Sequence, residues 1–119
     1  MSQLRNIPVM LDAYKLQVTE EPTVKMREND SGVLEAATDW QGVTQYVVTL
    51  FAKPRPVEGR PAGTGAEIRV TLETEPQEQI DDGSRVELIN ARVSHWENEL
   101  GGRKMSGLSW KATGVKLAA

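Results

Sequence analysis

Apolar and polar positions alternate along much of this chain, and helical spacing is almost absent. No long window keeps apolar residues at i, i+3, i+4 and i+7, the spacing of an amphipathic helix. Five runs rich in Val, Thr, Ile, Tyr and Leu instead predict β-strands, because each is bounded by Gly, Pro, Asp or Asn. These runs are residues 11–26, 43–52, 66–74, 84–96 and 107–117.

Three of the five runs contain a break in their alternation. Pro22 interrupts the first run beside Glu21, and proline cannot donate to a strand ladder, so we expect a bulge there. The fourth run changes phase at Ile89-Asn90 and the fifth at Gly114. The second run carries apolar residues on both faces, which predicts that its outer face is partly covered or used.

The order and character of the runs favour an all-β fold. Five strands, the first long and bent, predict a five-stranded OB-fold-like Greek-key barrel, which leaves few exposed strand edges. The connector at 75–83 holds at most a short helix between strands 3 and 4. An open β-sandwich is the alternative. We expect a single domain over 1–119, with 1–10 as an N-terminal extension and 118–119 as a tail.

The phase of each run also predicts the hydrophobic core. Residues on the inward side of the barrel should be mostly buried. They are Val48, Leu50, Ile68, Val70, Val86, Leu88, Val93, Leu108, Trp110 and Ala112. The intervening stretches 27–42 and 53–65 are polar or rich in Pro and Gly, and we interpret them as surface loops.

Composition narrows the class of protein. Hydrophobic residues make up 39% of the 119 residues, enough for one modest core, and cysteine is absent, which excludes disulfides and cysteine–metal sites. No apolar run reaches the roughly 20 residues of a membrane-spanning helix. The first residues lack the pattern of a signal peptide. We therefore expect a cytoplasmic protein without a membrane partner.

Charge is distributed unevenly. The net charge is −3, but residues 58–83 carry seven acidic and two basic side chains, whereas residues 84–119 carry six basic and three acidic ones. Affinity for phosphates depends on the local field rather than on the total charge. A basic surplus in the last third is therefore compatible with nucleic-acid binding, although an ordinary mixed-charge surface is the simpler interpretation.

One segment resembles a known family. Residues 83–115, GSRVELINARVSHWENELGGRKMSGLSWKATGV, are similar to the end of OB-fold single-stranded DNA-binding domains, with Gly107-Leu108-Ser109-Trp110-Lys111-Ala112 opening the last strand. Residues 11–117 as a whole resemble small OB-fold proteins of actinobacterial plasmids, integrative elements and phages. The resemblance implies a role in replication, transfer or its regulation.

No catalytic constellation is evident. His95 is the only histidine, and nothing in the sequence places a nucleophile and an orienting acid beside it. One histidine without cysteines gives no transition-metal site, and the glycines of residues 59–65 lack the GKS or GKT ending of a phosphate loop. We expect no enzymatic activity, no catalytic residues, no metal and no cofactor.

Binding is the better-supported class of function. OB-folds hold single strands by stacking bases on aromatic side chains along a basic groove. Six side chains are candidates for nucleic-acid binding: Trp40, Phe51, Arg69, Trp96, Arg103 and Lys104. Each tryptophan could instead anchor a loop on the end of the barrel, and Arg103 and Lys104 could form a solvated hairpin tip. Glu67 and Glu73 share the expected face of Arg69 and would repel phosphates.

The sequence therefore predicts a single-stranded DNA-binding module of a mobile element or phage. The alternative is a protein-interaction adaptor, or a structural or assembly protein, that uses the same barrel. An acidic middle and a basic end would also allow head-to-tail self-association into a homo-oligomer.

Overall fold

The computed structural model describes residues 4–59 and 63–118, and every regular element in these ranges is a β-strand. Ten strands are present: β1 Ile7–Pro8, β2 Tyr14–Val24, β3 Met26–Glu28, β4 Leu34–Ala36, β5 Tyr46–Pro54, β6 Ala66–Leu72, β7 Arg85–Ile89, β8 Arg92–Leu100, β9 Arg103–Ala112 and β10 Gly114–Leu117. The prediction of an all-β fold is confirmed. The connector at 75–83 contains no helix.

Eight of the strands form one sheet, in the order β1-β8-β9-β6-β5-β2-β7-β10. Strands β2, β5 and β6 pair antiparallel in succession, and β7 returns to pair antiparallel with β2. The spatial order β7-β2-β5-β6 is that of a Greek key. Strand β9 then joins β6 in parallel, through the pairs from Val70–Trp110 to Leu72–Ala112. Strands β3 and β4 form a separate two-stranded sheet.

The eight-stranded sheet must curl strongly. Strand β7 ends at Ile89 and β8 begins at Arg92, so their ends are at most about 11 Å apart along the chain. In a flat sheet the five strand spacings between them would amount to about 24 Å. A curled sheet brings the end of β7 and the start of β8 within the shorter distance. The two terminal strands of the order, β1 and β10, do not pair with each other, so the sheet stays open.

Two parts of the fold prediction are therefore wrong: the count of five strands and the closure of the barrel. The predicted fourth and fifth strands are each divided, near the positions where the sequence changes phase. Asn90 adopts a positive φ of 56°, which ends β7 and redirects the chain into β8. Each half then pairs with a different neighbour, and the ladder remains open. The bulge expected near Pro22 is confirmed by register shifts between Val18 and Thr23.

The core lies on the inner side of the curled sheet. Six of the ten predicted core residues are buried, namely Val48, Leu50, Val70, Val86, Val93 and Ala112. Ile68, Leu88 and Trp110 are partly buried and pack against this cluster. The prediction that Leu108 belongs to the core is wrong, because this residue is 54% exposed. The prediction also omitted Ile80, which the irregular connector 75–83 inserts into the core.

The stretch between the predicted fourth and fifth strands is a two-stranded ribbon. Strands β8 and β9 pair without interruption from Arg92–Lys111 to Leu100–Arg103. Gly101 and Gly102 close the ribbon with φ values of 59° and 81°, as a type I′ turn requires. Strand β6 pairs with β9 only from Trp110 onward, so residues 94–109, here called the β-arm, leave the body of the sheet.

The predicted loop at 27–42 contains two turns around the β3–β4 pair. The side chain of Asn29 accepts hydrogen bonds from the backbone nitrogens of Ser31 and Val33, which stabilise the turn between β3 and β4. The side chain of Asp39 likewise accepts hydrogen bonds from the backbone nitrogens of Gln41 and Val43. Of the other predicted loop, 53–65, residues 60–62 lie outside the described residues. In the part of the chain that is described, no helix has the length and apolar character needed to cross a membrane.

Candidate nucleic-acid interface

The outer face of the sheet carries Phe51 and Arg69, two of the side chains predicted to bind. Register places Phe51 opposite Glu67, Thr49 opposite Arg69, and Thr71 opposite Lys111. Directly paired residues point to the same side of a sheet, so these residues share the outer face. Val47 and Thr49 are nevertheless buried there, which confirms that the outer side of β5 is partly covered.

Phe51 lies at one end of this face, where the chain that enters β6 passes over it. A Cβ atom at Gly65 would lie 2.7 Å from the Phe51 ring and 2.6 Å from the carbonyl oxygen of Ala52. Glycine is therefore required at position 65 for the chain to approach so closely. Phe51 keeps part of its ring exposed and is available for contact from the solvent side.

Trp96 lies on the β-arm and packs across the ribbon onto a glycine. It pairs directly with Gly107, and a Cβ atom there would lie 2.7 Å from the indole ring. The missing side chain lets the ring lie flat on the ribbon, an arrangement known to support glycines in strands. The side chain of Trp96 stays 36% exposed, so one part of the indole is held and another is open to a ligand.

A groove of about 250 Å³ runs beside Trp96 on the same face. Its walls are Ser94, Ser109 and Lys111 from the ribbon, with Arg5 and Asn6 from the segment before β1. The backbone nitrogen of Asn6 donates to the Ser94 hydroxyl at 2.9 Å, which attaches that segment to the ribbon. The volume is just below the range of about 300–1,000 Å³ typical of small-molecule pockets. The groove is therefore small for a ligand pocket.

Three cations meet on the outer face next to this groove. The Lys25 ammonium donates to the Thr71 hydroxyl at 3.0 Å, which holds it above β6. Burial lowers the pKa of Lys25, and the positive charges of Lys111 and Arg69 lower it further. The two charges are therefore close enough to Lys25 to repel it. None of these cations belongs to an ion pair among the described residues, whose pairs are Arg27–Glu35, Arg92–Glu73 and Lys116–Glu87.

The acids predicted to oppose phosphate differ in what they contact. Glu73 forms an ion pair with the largely buried Arg92 and accepts a hydrogen bond from Thr113 at 3.4 Å. Its charge is therefore neutralised. Glu67 stays exposed opposite Phe51. Of the two acids expected to repel phosphate on this face, only Glu67 therefore still opposes nucleic-acid binding.

The remaining predicted site residues lie away from this cluster. Arg103 pairs with Leu100 at the tip of the β-arm, four residues along the strand from the level of Trp96. Lys104 pairs with Glu99 and points to the opposite face of the ribbon. Both residues lie on strand β9 rather than in a loop. Because Lys104 points to the face opposite Trp96, the structure does not bring these two side chains together.

Trp40 is the most exposed of the three tryptophans. It occupies the turn Asp39–Gly42, in which the nitrogen of Gly42 donates to the oxygen of Asp39 at 3.0 Å, and its side chain is 91% exposed. No described contact joins it to Trp96 or to the cations. Trp40 thus remains a predicted ligand contact at the tip of a separate turn.

Sequence reasoning missed Lys25 and Lys111 as members of the site. The signal for Lys111 was present, because placing Trp110 in the core puts its neighbour on the outer face. No local signal marks Lys25, whose ammonium reaches Thr71 across 46 positions of sequence.

A second groove of about 320 Å³ lies between residues 8–12 and strand β7. None of the six predicted site residues lines it. No group of three or more His, Cys, Asp or Glu side chains suited to a metal occurs within 4–59 and 63–118. The candidate interface is therefore the outer face with the β-arm.

Comparison with protein-family models, with curated proteins and with solved structures finds no match to this chain. Its function is therefore inferred from its own residues.

Proposed function

We propose that this protein binds single-stranded DNA on the outer face of its sheet, between the β-arm and the β5–β6 strands. One observation carries the proposal: Trp96 presents part of its indole beside a groove whose wall includes Lys111. Single strands are held by this combination, an aromatic surface for a base and cations for the backbone. Stacking tolerates any base, so binding is expected to be largely independent of sequence.

The fold supports the same proposal at a finer level. The Greek key of β7, β2, β5 and β6, extended by β9 in a strongly curled sheet, agrees with an OB-type plan, a partly open Greek-key barrel. Strands β5 and β6 are then the second and third main strands, whose face binds oligonucleotides in that fold. The resemblance to OB-fold proteins of actinobacterial plasmids, integrative elements and phages agrees with this role in a mobile element.

The test is titration of the protein into a labelled 20-base oligo-dT strand at low salt. Replacing Trp96 by Ala should weaken binding by about five- to 150-fold, which corresponds to the loss of one stacked base at about 1–3 kcal/mol. Tyr14→Ala is the matched control, because Tyr14 is an aromatic residue of similar exposure, 39%, that lines the other groove. Equal affinity of the two variants would contradict the proposal.

Two further arms sharpen the result. Duplex DNA of the same length should bind less well, because its bases are already stacked on each other. Glu67→Lys should strengthen single-strand binding, since it replaces the exposed acid of this face by a cation. An unchanged affinity in Glu67→Lys would place the strand elsewhere on the molecule.

Protein interaction is a second candidate, favoured by the apolar side chains of the β-arm. Leu100 and Met105 share one face of the ribbon, and both are more than half exposed. Neighbouring exposed apolar residues mark contact surfaces for proteins. A protein contact of this kind should persist at high salt, whereas single-strand binding should weaken as salt rises. Light scattering in 0.05 and 0.5 M salt, with Leu100→Ser/Met105→Ser as the variant, separates the two functions.

A further inference from the structure

We propose that Lys25, Arg69 and Lys111 form a seat for one phosphate group on the outer face of the sheet. The ligand chemistry is a phosphate oxyanion, supplied either by free phosphate or by the backbone of a nucleic acid. In the second case the inference rests on the proposed single-strand binding and names where one phosphodiester sits.

Long-range pairing builds the seat. Lys111 is placed by the parallel ladder in which Thr71 is its partner, and Arg69 lies two residues before Thr71 on the same face of β6. Lys25 lies between β2 and β3, where its backbone nitrogen donates to the Gln45 carbonyl at 2.9 Å. Three elements distant in sequence therefore direct positive charge at one place.

The hydroxyl of Thr71 positions the ammonium of Lys25. It accepts from the Lys25 ammonium at 3.0 Å, and that lysine is partly buried. An ammonium has three donor hydrogens, so at least one stays available to a ligand after this bond is made. The side chain is held in advance, which lowers the entropic cost of binding.

The charges around the seat leave it positive. Glu73 forms an ion pair with Arg92. Glu20, from β2, accepts a hydrogen bond from Thr49 at 3.3 Å, one position across the ladder from Arg69, and is the nearest opposing acid that these contacts identify. Glu67, two residues before Arg69 on the same face of β6, is a second opposing acid. Three cations against these two carboxylates leave a net positive charge that attracts an oxyanion. Burial and repulsion from Lys111 and Arg69 already disfavour the charged form of Lys25, and an anion would relieve this repulsion.

The first experiment measures the pKa of Lys25 by NMR of its side-chain resonances. The titration is run in sodium chloride and again in inorganic phosphate of equal ionic strength. We expect phosphate to move the lowered pKa back toward its ordinary value, because the bound oxyanion favours the ammonium. Lys116 on β10, which forms an exposed pair with Glu87 on β7, is the internal control, and its side-chain resonances should be the same in both salts.

The second experiment measures the affinity for oligo-dT from 0.05 to 0.2 M salt. The double variant Lys25→Gln/Lys111→Gln empties the seat and should lower the slope of log affinity against log salt by about 0.7, the value for one phosphate of a single strand. Over this range, the affinity of the variant should fall about 2.6-fold less than that of the parent. Arg85→Gln/Lys116→Gln removes equal charge from β7 and β10 and should keep the parental slope.

The outcomes separate the seat from the proposed function. A shifted Lys25 pKa in phosphate without oligo-dT binding supports the seat and overturns single-strand binding. Oligo-dT binding that depends on Trp96, with the slope and affinity unchanged in Lys25→Gln/Lys111→Gln, overturns the seat and leaves the function in place. A Lys25 pKa that is the same in chloride, in phosphate and with oligo-dT also overturns the seat. Thermal melting of both double variants establishes that they are folded.

Discussion

Strands β8 and β9 run from the body of the sheet into the β-arm, and the two regions are stabilised differently. Val93 and Trp110 form a cross-strand pair in the body, and both contribute to a buried or partly buried inner face. Beyond residue 96 toward the turn, every residue of β8 is exposed. Burial therefore stabilises the body, whereas the turn and cross-strand pairs hold the arm. A segment stabilised in this way remains free to contact a ligand on both faces.

The largest difference should come from one substitution made in each region. Leu50→Ala removes a side chain that is fully buried in the body and should cost about 2–5 kcal/mol in the free energy of unfolding. Leu100→Ala, at a position that is 71% exposed in the β-arm, should change it by less than about 0.5 kcal/mol. Urea denaturation of both variants tests this. Similar losses would show that the arm shares the core of the body.

The next largest difference should be between two glycines that are covered by aromatic rings, when each is replaced by Ala. Gly65→Ala places a Cβ atom 2.6 Å from a backbone oxygen, which has little freedom to move, so we expect a loss of about 1–3 kcal/mol. Gly107→Ala meets only the Trp96 ring, which can turn away, and should cost less. Thermal melting measures the first effect, and a red shift of tryptophan emission reports the second. A larger loss at Gly107 would reverse the comparison.

The turn of the β-arm should respond locally. Gly102→Ala puts a side chain at φ 81° and should weaken the arm by about 1–2 kcal/mol. Gly101→Asn is the control, because Asn-Gly is favoured in a type I′ turn. Hydrogen exchange should show faster amides at 96–107 in Gly102→Ala, with the body unchanged. Global melting at a lower temperature would instead mean that arm and body unfold together.

The smallest effect concerns pH. Burial, with the charges of Lys111 and Arg69, lowers the pKa of Lys25 in the folded protein below 10.5. The unfolded chain binds this proton more tightly, so the free energy of unfolding should rise as pH increases from the folded pKa to 10.5. Lys25→Gln should show a smaller rise than the parent in urea denaturation at pH 7 to 10.5. Parallel curves for the two proteins would contradict the crowding of charge on the outer face.

The sequence alone predicted the class of fold and several local features. Alternation with period two identified the strands, because successive side chains in a strand point to opposite faces whatever the strand pairs with. Pro22 and Asn90 marked breaks for equally local reasons, the missing donor of proline and the tolerance of asparagine for a positive φ. The core was foreseen in part: the list of predicted core residues included Val48, Leu50 and Ala112 but not Leu16, Val18 or Leu72.

Only the tertiary structure decided which faces are covered and which charges meet. Leu108 has the right phase for the core, yet the ladder between β6 and β9 begins at Trp110, so no strand packs beside Leu108 and it is exposed. Lys25 and Lys111 lie 86 positions apart and meet because the Lys25 ammonium donates to Thr71, which pairs with Lys111 in the ladder between β6 and β9. Local backbone geometry sets the direction of a side chain, but its neighbours depend on strand pairing between distant segments, which no local pattern encodes.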